Sequence, residues 1–200
     1  MSTRVLISGF EPFGISKFNP SALLVERLSE EKLPGVELHS IVLPVEFERS
    51  VEILLQKIEE CKPDIVISFG QAEGRTGITP EKVAINFDDA RIPDNSGDLR
   101  RNKKINEDGV DTYFSTLPVD KMVEAIKSEG IFSTPSLSAG AFVCNHLFYE
   151  VQRALQGSAI RSGFVHLPLI TEQTDEFPGL PTLDLSMMVR GAKAAILSAL

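Results

Sequence analysis

Asp64-Ile65-Val66-Ile67-Ser68-Phe69 is a short, almost continuously apolar run rich in β-branched residues, which reads as a buried strand ended by Gly70. Val5-Leu6-Ile7 and Gly163-Phe164-Val165-His166 repeat the pattern, and Leu38 to Leu43 alternates as a strand. Between these runs the spacing turns helical. Asn19-Pro20 reads as an N-cap and first-turn proline opening a helix through about Ser29. Glu46 to Glu60 gathers Val51, Leu54, Leu55 and Ile58 on one face. Leu147, Phe148, Val151, Ala154 and Leu155 do the same in a helix ending at Gly157. Further strands are expected at Val83 to Phe87 and near Ile131-Phe132. Asp120 should cap a helix to Glu129, and Thr182 should cap a C-terminal helix rich in Leu, Met and Ala. Strands alternating with amphipathic helices predict an α/β fold: a three-layer α/β/α sandwich with a mostly parallel (mixed) central sheet. Ligands of such sheets sit outside the carboxyl ends of the strands. That selects the loops after Ile7, Phe69 and Val165, and the start of the helix near Cys144.

The 200 residues fit one catalytic domain, 1–200, with a polar loop or hairpin segment near 88–118 that contains Pro93, Gly97 and Gly109. The net charge of -8 and the absence of a basic stripe argue against nucleic acid and anionic membranes as partners. Arg100-Arg101-Asn102-Lys103-Lys104 is short and flanked by acids. No apolar run reaches the roughly 18 residues a membrane span needs. Met1 to Gly9 reads as a first strand and not as a signal peptide. Cys61 and Cys144 form no CxxC pair, so no zinc-ribbon or thioredoxin-type motif exists. Two thiols suggest a reducing, cytoplasmic compartment.

Cys144 lies where the small-residue loop Ser138-Ala139-Gly140-Ala141 gives way to a helix. A thiol in a first helical turn feels the positive end of the helix dipole, which favours the nucleophilic thiolate. The base should be a histidine. His146, two residues on, is rotated about 200° away on a helix. His39 starts a strand, and His166 ends one at the expected ligand edge, so His166 is the best partner. A third group should fix the imidazole tautomer. Glu81, Asp88, Asp89 and Asp94 all qualify, and spacing does not choose among them. Taken singly, a cysteine in a chain of this size is more often a small buried hydrophobe. Cys61, in a helix-to-strand turn, is read that way. Gly70-Gln71-Ala72-Glu73-Gly74-Arg75-Thr76-Gly77 looks like a phosphate loop, but Phe69 and Arg75 stand where a P-loop needs Gly and Lys, and Glu73 would repel phosphate. A nucleoside phosphorylase using that loop, and a small-molecule binder with an inert thiol, are the alternatives to a thiol enzyme.

Several ordered segments together resemble the pyroglutamyl peptidase type I (pyrrolidone-carboxylate peptidase) family. They are Gly9-Phe10-Glu11-Pro12-Phe13-Gly14 with Asn19-Pro20, Glu81-Lys82-Val83-Ala84-Ile85-Asn86, Ala90-Arg91-Ile92-Pro93-Asp94-Asn95, Ser138 to Asn145, and Gly163 to His166 with Glu172-Gln173. The resemblance covers nearly the whole chain; Glu73 and Thr171 depart from the family's usual small residue and proline. It implies a Cys-His-Glu triad of Cys144, His166 and Glu81, a thioester acyl-enzyme, and N-terminally pyroglutamylated peptides as substrates. It also implies a cytosolic homo-oligomer, often a homotetramer, with no metal or other cofactor. For that chemistry, the Cys144 backbone N–H and Arg91 would receive the oxyanion. Phe10, Phe13 and Phe142 would wall the uncharged lactam, and the Gln71 amide would match its polar groups.

Overall fold

The structure, a computed structural model, describes residues 2–200. In chain order its elements are β1 (Thr3–Phe10), α1 (Pro20–Ser29), β2 (Val36–Leu43), α2 (Phe47–Cys61), β3 (Ile65–Gln71), β4 (Thr79–Pro80), β5 (Val83–Ile85), β6 (Thr112–Phe114), α3 (Val119–Ser128), α4 (Val143–Ala154), β7 (Arg161–Leu167), β8 (Leu169–Ile170), β9 (Thr182–Leu183) and α5 (Leu185–Ser198). The central sheet runs β2-β1-β3-β7-β4. Its first four strands are parallel, and β4 pairs antiparallel with β7 at the edge, so the sheet is mixed and mostly parallel.

The near-continuous apolar strands follow from helices on both faces. Ile65, Ile67 and Phe69 of β3 and Val165 of β7 pack with Leu24, Leu28, Met122, Ile126, Ala192 and Ile196 from α1, α3 and α5. Val66 and Phe164, one residue out of phase, pack with Phe47, Leu54, Leu147 and Phe148 from α2 and α4. Alternate residues of one strand thus serve two separate cores, the α/β/α arrangement expected from the sequence. The carboxyl ends of β1, β3 and β7 open on the same edge, and α4 begins there.

Local signals were read correctly where one side chain dominates. Asn19 caps α1, accepting from the Ser21 N–H at 3.0 Å, with Pro20 in the first turn. Five readings need correction, the last of them the placing of His39 at the start of a strand. β3 does not stop before Gly70; it runs through to Gln71, held in register by β7. Asp120 lies inside α3, whose cap position is Pro118, and its carboxylate pairs with Lys82 at 2.8 Å. Thr182 belongs to β9; Asp184 caps α5 instead, accepting from the Ser186 N–H at 2.8 Å. Ile131-Phe132 forms no strand, because Ile131 is simply a core plug and only Ser133 and Ser136 bridge singly to Ile78 and Glu81. β5 pairs antiparallel with β6, and residues 86–111 lie between them. His39 sits in the middle of β2, opposite Leu6, with its ring on Glu37.

Candidate active site

A cavity of 690 Å³ opens at the carboxyl ends of the parallel strands. Phe10 and Gln71 at the ends of β1 and β3 line it, with His166 from β7, Phe142 and Cys144 at the start of α4, and Phe13, Arg75 and Arg91 from loops. Of Phe10, Phe13, Gln71, Glu81, Arg91, Phe142, Cys144 and His166, all line this cavity except Glu81, which is fully buried and bonded to His166.

Register places the sulfur. Gly70 of β3 stands opposite His166 of β7. Side chains at matched positions of neighbouring strands leave the same face of the sheet. A Cβ at Gly70 would lie 2.8 Å from Cys144 Sγ and 2.8 Å from Phe164 Cζ. The sulfur therefore fills the space that the missing side chain leaves, on the His166 face of the sheet. The Phe164 ring packs against the imidazole at 4.9 Å between centroids. Here glycine serves close approach.

Behind the ring, the His166 Nδ1–H donates to Glu81 Oε1 at 2.7 Å, which leaves Nε2 free of that carboxylate. The same oxygen accepts from an Arg75 guanidinium N–H at 3.1 Å. Arg75 also donates to Thr79 Oγ1 at 2.9 Å and to the Ser138 carbonyl at 3.0 Å. Glu81 Oε2 is buried with no partner among the described residues. The other three acids are engaged elsewhere. Asp88 takes His146 Nδ1–H at 2.9 Å, Asp94 accepts from the Phe47 N–H at the start of α2, and Asp89 lies 3.8 Å from Arg101. His146 is buried on the far side of α4 from the cavity, as its helical offset predicts.

The thiol departs from expectation. Burial pushes Cys144 up to about 12, with the negative charge of Glu81 adding to the effect; its own backbone N–H at the helix start acts in the opposite direction and loses. A helix N-terminus alone would lower the value, but here desolvation and a nearby carboxylate outweigh it. Part of the side chain still meets the cavity, so water moderates the desolvation, but both burial and the Glu81 charge favour the thiol over the thiolate. Iodoacetamide alkylation of Cys144, followed on its own peptide by mass spectrometry, is therefore expected to keep accelerating above pH 9 in the free protein. A plateau at neutral pH would show a resting thiolate instead.

The sequence gives no sign of what two residues do at the site. Arg75 was weighed only as a phosphate ligand, because linear spacing gives no sign that the turn at Gly74 (φ +81°) folds it back onto Glu81. Gln173 is fully buried and donates to Gln71 Oε1 at 2.9 Å and to Ser16 Oγ at 2.8 Å, while accepting from the Ile170 N–H at 3.0 Å. One acceptor position of Gln71 is thus already used, so its amide is oriented before any ligand arrives. Phe142 stacks edge-on to Phe47 at 5.6 Å and lies 5.9 Å from Phe13, which makes one wall of the cavity apolar.

Thiol, imidazole and carboxylate groups gathered at the strand ends of an α/β/α sandwich are the parts a hydrolase of the cysteine type requires. The pyroglutamyl peptidase family model matches residues 3–200. The pyrrolidone-carboxylate peptidase of Vibrio parahaemolyticus is 47% identical over 95% of this chain and 89% of its own length. That of Bacillus licheniformis is 44% identical over 100% of this chain and 94% of its own. Among solved structures, pyroglutamyl peptidase I from Bacillus amyloliquefaciens superposes with a TM-score of 0.96 at 41% identity, covering 100% of this chain and 95% of that one. The Thermococcus litoralis pyrrolidone carboxyl peptidase superposes at 0.93 with 32% identity, covering 98% and 93%. The chain belongs to the pyroglutamyl peptidase family.

Proposed function

We propose that this protein removes N-terminal pyroglutamyl residues from peptides, with Cys144 as nucleophile, His166 as general base and then acid, and Glu81 as the group that orients the imidazole. The observation that carries the proposal is the placing of the Cys144 sulfur beside Gly70, on the sheet face and at the register position of His166. Because the surroundings favour the thiol, His166 Nε2 takes its proton as sulfur attacks the pyroglutamyl carbonyl carbon. The oxyanion formed is received by the Cys144 backbone N–H, which as the second residue of α4 has no intrahelical acceptor, and by Arg91. The C–N bond breaks, the imidazolium protonates the departing amine, and a thioester remains. Water, deprotonated by the same ring, attacks the thioester; pyroglutamate leaves and sulfur regains its proton.

Pyroglutamate is a flat, uncharged lactam. Phe10, Phe13 and Phe142 suit its ring, and the Gln71 amide suits its polar edge. We further infer that residues 1–200 act as one catalytic unit, that segment 88–118 brings Arg91 to the cavity, and that the protein is a cytoplasmic homo-oligomer, a tetramer by family resemblance. No helix among the described residues is long and apolar enough to cross a membrane.

Chromophore release from a pyroglutamyl anilide tests the substrate assignment, with the matching prolyl anilide as comparator. A site whose buried polar groups match the ring amide should prefer the first substrate by a factor on the order of 10,000 in kcat/KM. Equal turnover of both, or of neither, rejects the assignment.

A further inference from the structure

We propose that Arg75 is a positioning residue of this site: it balances and holds the Glu81 carboxylate that orients His166, and through Ser138 it fastens that carboxylate to the loop delivering Cys144. The inference rests on the thiol-triad reading above and deepens it.

Glu81 is completely buried, and only one of its two oxygens has partners, namely His166 and Arg75. A buried carboxylate with imidazole alone would hold a negative charge that nothing else balances. Arg75 is the cation that balances it, with its side chain 26% exposed at the cavity wall and the paired Glu81 at 0%. Its planar fork suits three acceptors at once: Glu81, Thr79 and the Ser138 carbonyl. Ser138 lies six residues before Cys144, in the loop that enters α4. One side chain thus links the acid, the strand just before it and the approach to the nucleophile. The other charged or titratable groups at His166 are Cys144 on α4 and, around the cavity, Glu73 and Arg91, neither of which pairs with Glu81. Removing Arg75 leaves the Glu81 charge uncompensated, which favours the protonated form of the site. That preference moves the acid limb of activity to higher pH.

The test is a double-mutant cycle of Arg75→Gln with Glu81→Gln, reading kcat and KM separately across pH, with melting temperature as a control for folding. In the wild-type background, Arg75→Gln should displace the acid limb of kcat/KM upward. Each unit of displacement lowers the active fraction about tenfold on the acid side. The loss should fall mainly on kcat. In the Glu81→Gln background the same substitution should cost little, because the charge it balances is gone. Arg75→Lys, which keeps the cation and protects folding, should return the limb toward its wild-type position while recovering only part of kcat. Equal fold-losses in both backgrounds with an unmoved pH profile would overturn the positioning role and leave the triad standing. Full activity of Glu81→Gln itself would instead remove the triad reading on which the role rests.

Discussion

Replacing Cys144 with alanine is expected to lower kcat on a pyroglutamyl anilide by a factor on the order of 10,000 or more, as loss of a nucleophile does when no other group can substitute. Cys61, the other cysteine, lies at the end of α2 and does not line the cavity. The fold should persist, because the sulfur occupies a cavity wall and removing it leaves space continuous with that cavity rather than a sealed void. Melting temperature and far-ultraviolet circular dichroism check this. Serine is the sharper comparison. It keeps the side-chain shape but offers a much weaker acid to the same imidazole, in surroundings that already push the thiol up to about 12. Cys144→Ser should therefore stay close to Cys144→Ala in activity and bind substrate normally. Retained turnover in the alanine variant, with the protein shown free of contaminating peptidase, would remove sulfur from the mechanism.

How much of this was legible before any coordinates follows from the range over which each signal acts. The strands at Val5, Ile65 and Gly163 announce themselves because burial on both faces demands uninterrupted apolar residues, and the helices between them because one face must stay wet. That pattern fixed the layers and the ligand edge. It failed at short edge segments such as Ile131-Phe132, where an apolar pair serves the core without any ladder. It also failed at caps with competing acceptors, since Thr182 and Asp184 both qualify locally and packing of α5 chooses Asp184. Within the site, His166 could be picked over His146 from helix geometry alone. Residue spacing does not single out Glu81, which only the family resemblance names, because it meets His166 across 85 residues of chain, through β4 lying antiparallel to β7. Helix position suggested an ionised thiol; desolvation, a property of the assembled core and not of any local run, reversed that sign. Arg75 was invisible as a structural partner for the same reason.

Alanine at His166 is expected to cost about 100- to 10,000-fold in kcat, the range that general acid–base groups contribute, with a smaller change in KM. The ring lines the cavity but is buried, packed against Phe164 and bonded to Glu81. Its removal leaves Glu81 a buried carboxylate with Arg75 as its one remaining partner, so some stability should go with the activity. Added imidazole separates the two effects. A small base can enter a 690 Å³ cavity that opens beside the sulfur, and should restore part of the turnover without restoring the melting temperature. Glu81→Gln makes the contrast. An amide oxygen still accepts the Nδ1–H, so the loss should be smaller, but the negative charge beside the ring is gone. The acid limb of kcat/KM should then shift to lower pH, opposite to the displacement expected for Arg75→Gln. Opposite shifts from two neighbours of one ring are hard to obtain from loosened packing, which has no sign in proton affinity. Near-wild-type activity of His166→Ala would place the base elsewhere, and shifts of the same sign in the two neighbours would show that their charges do not act through the imidazole.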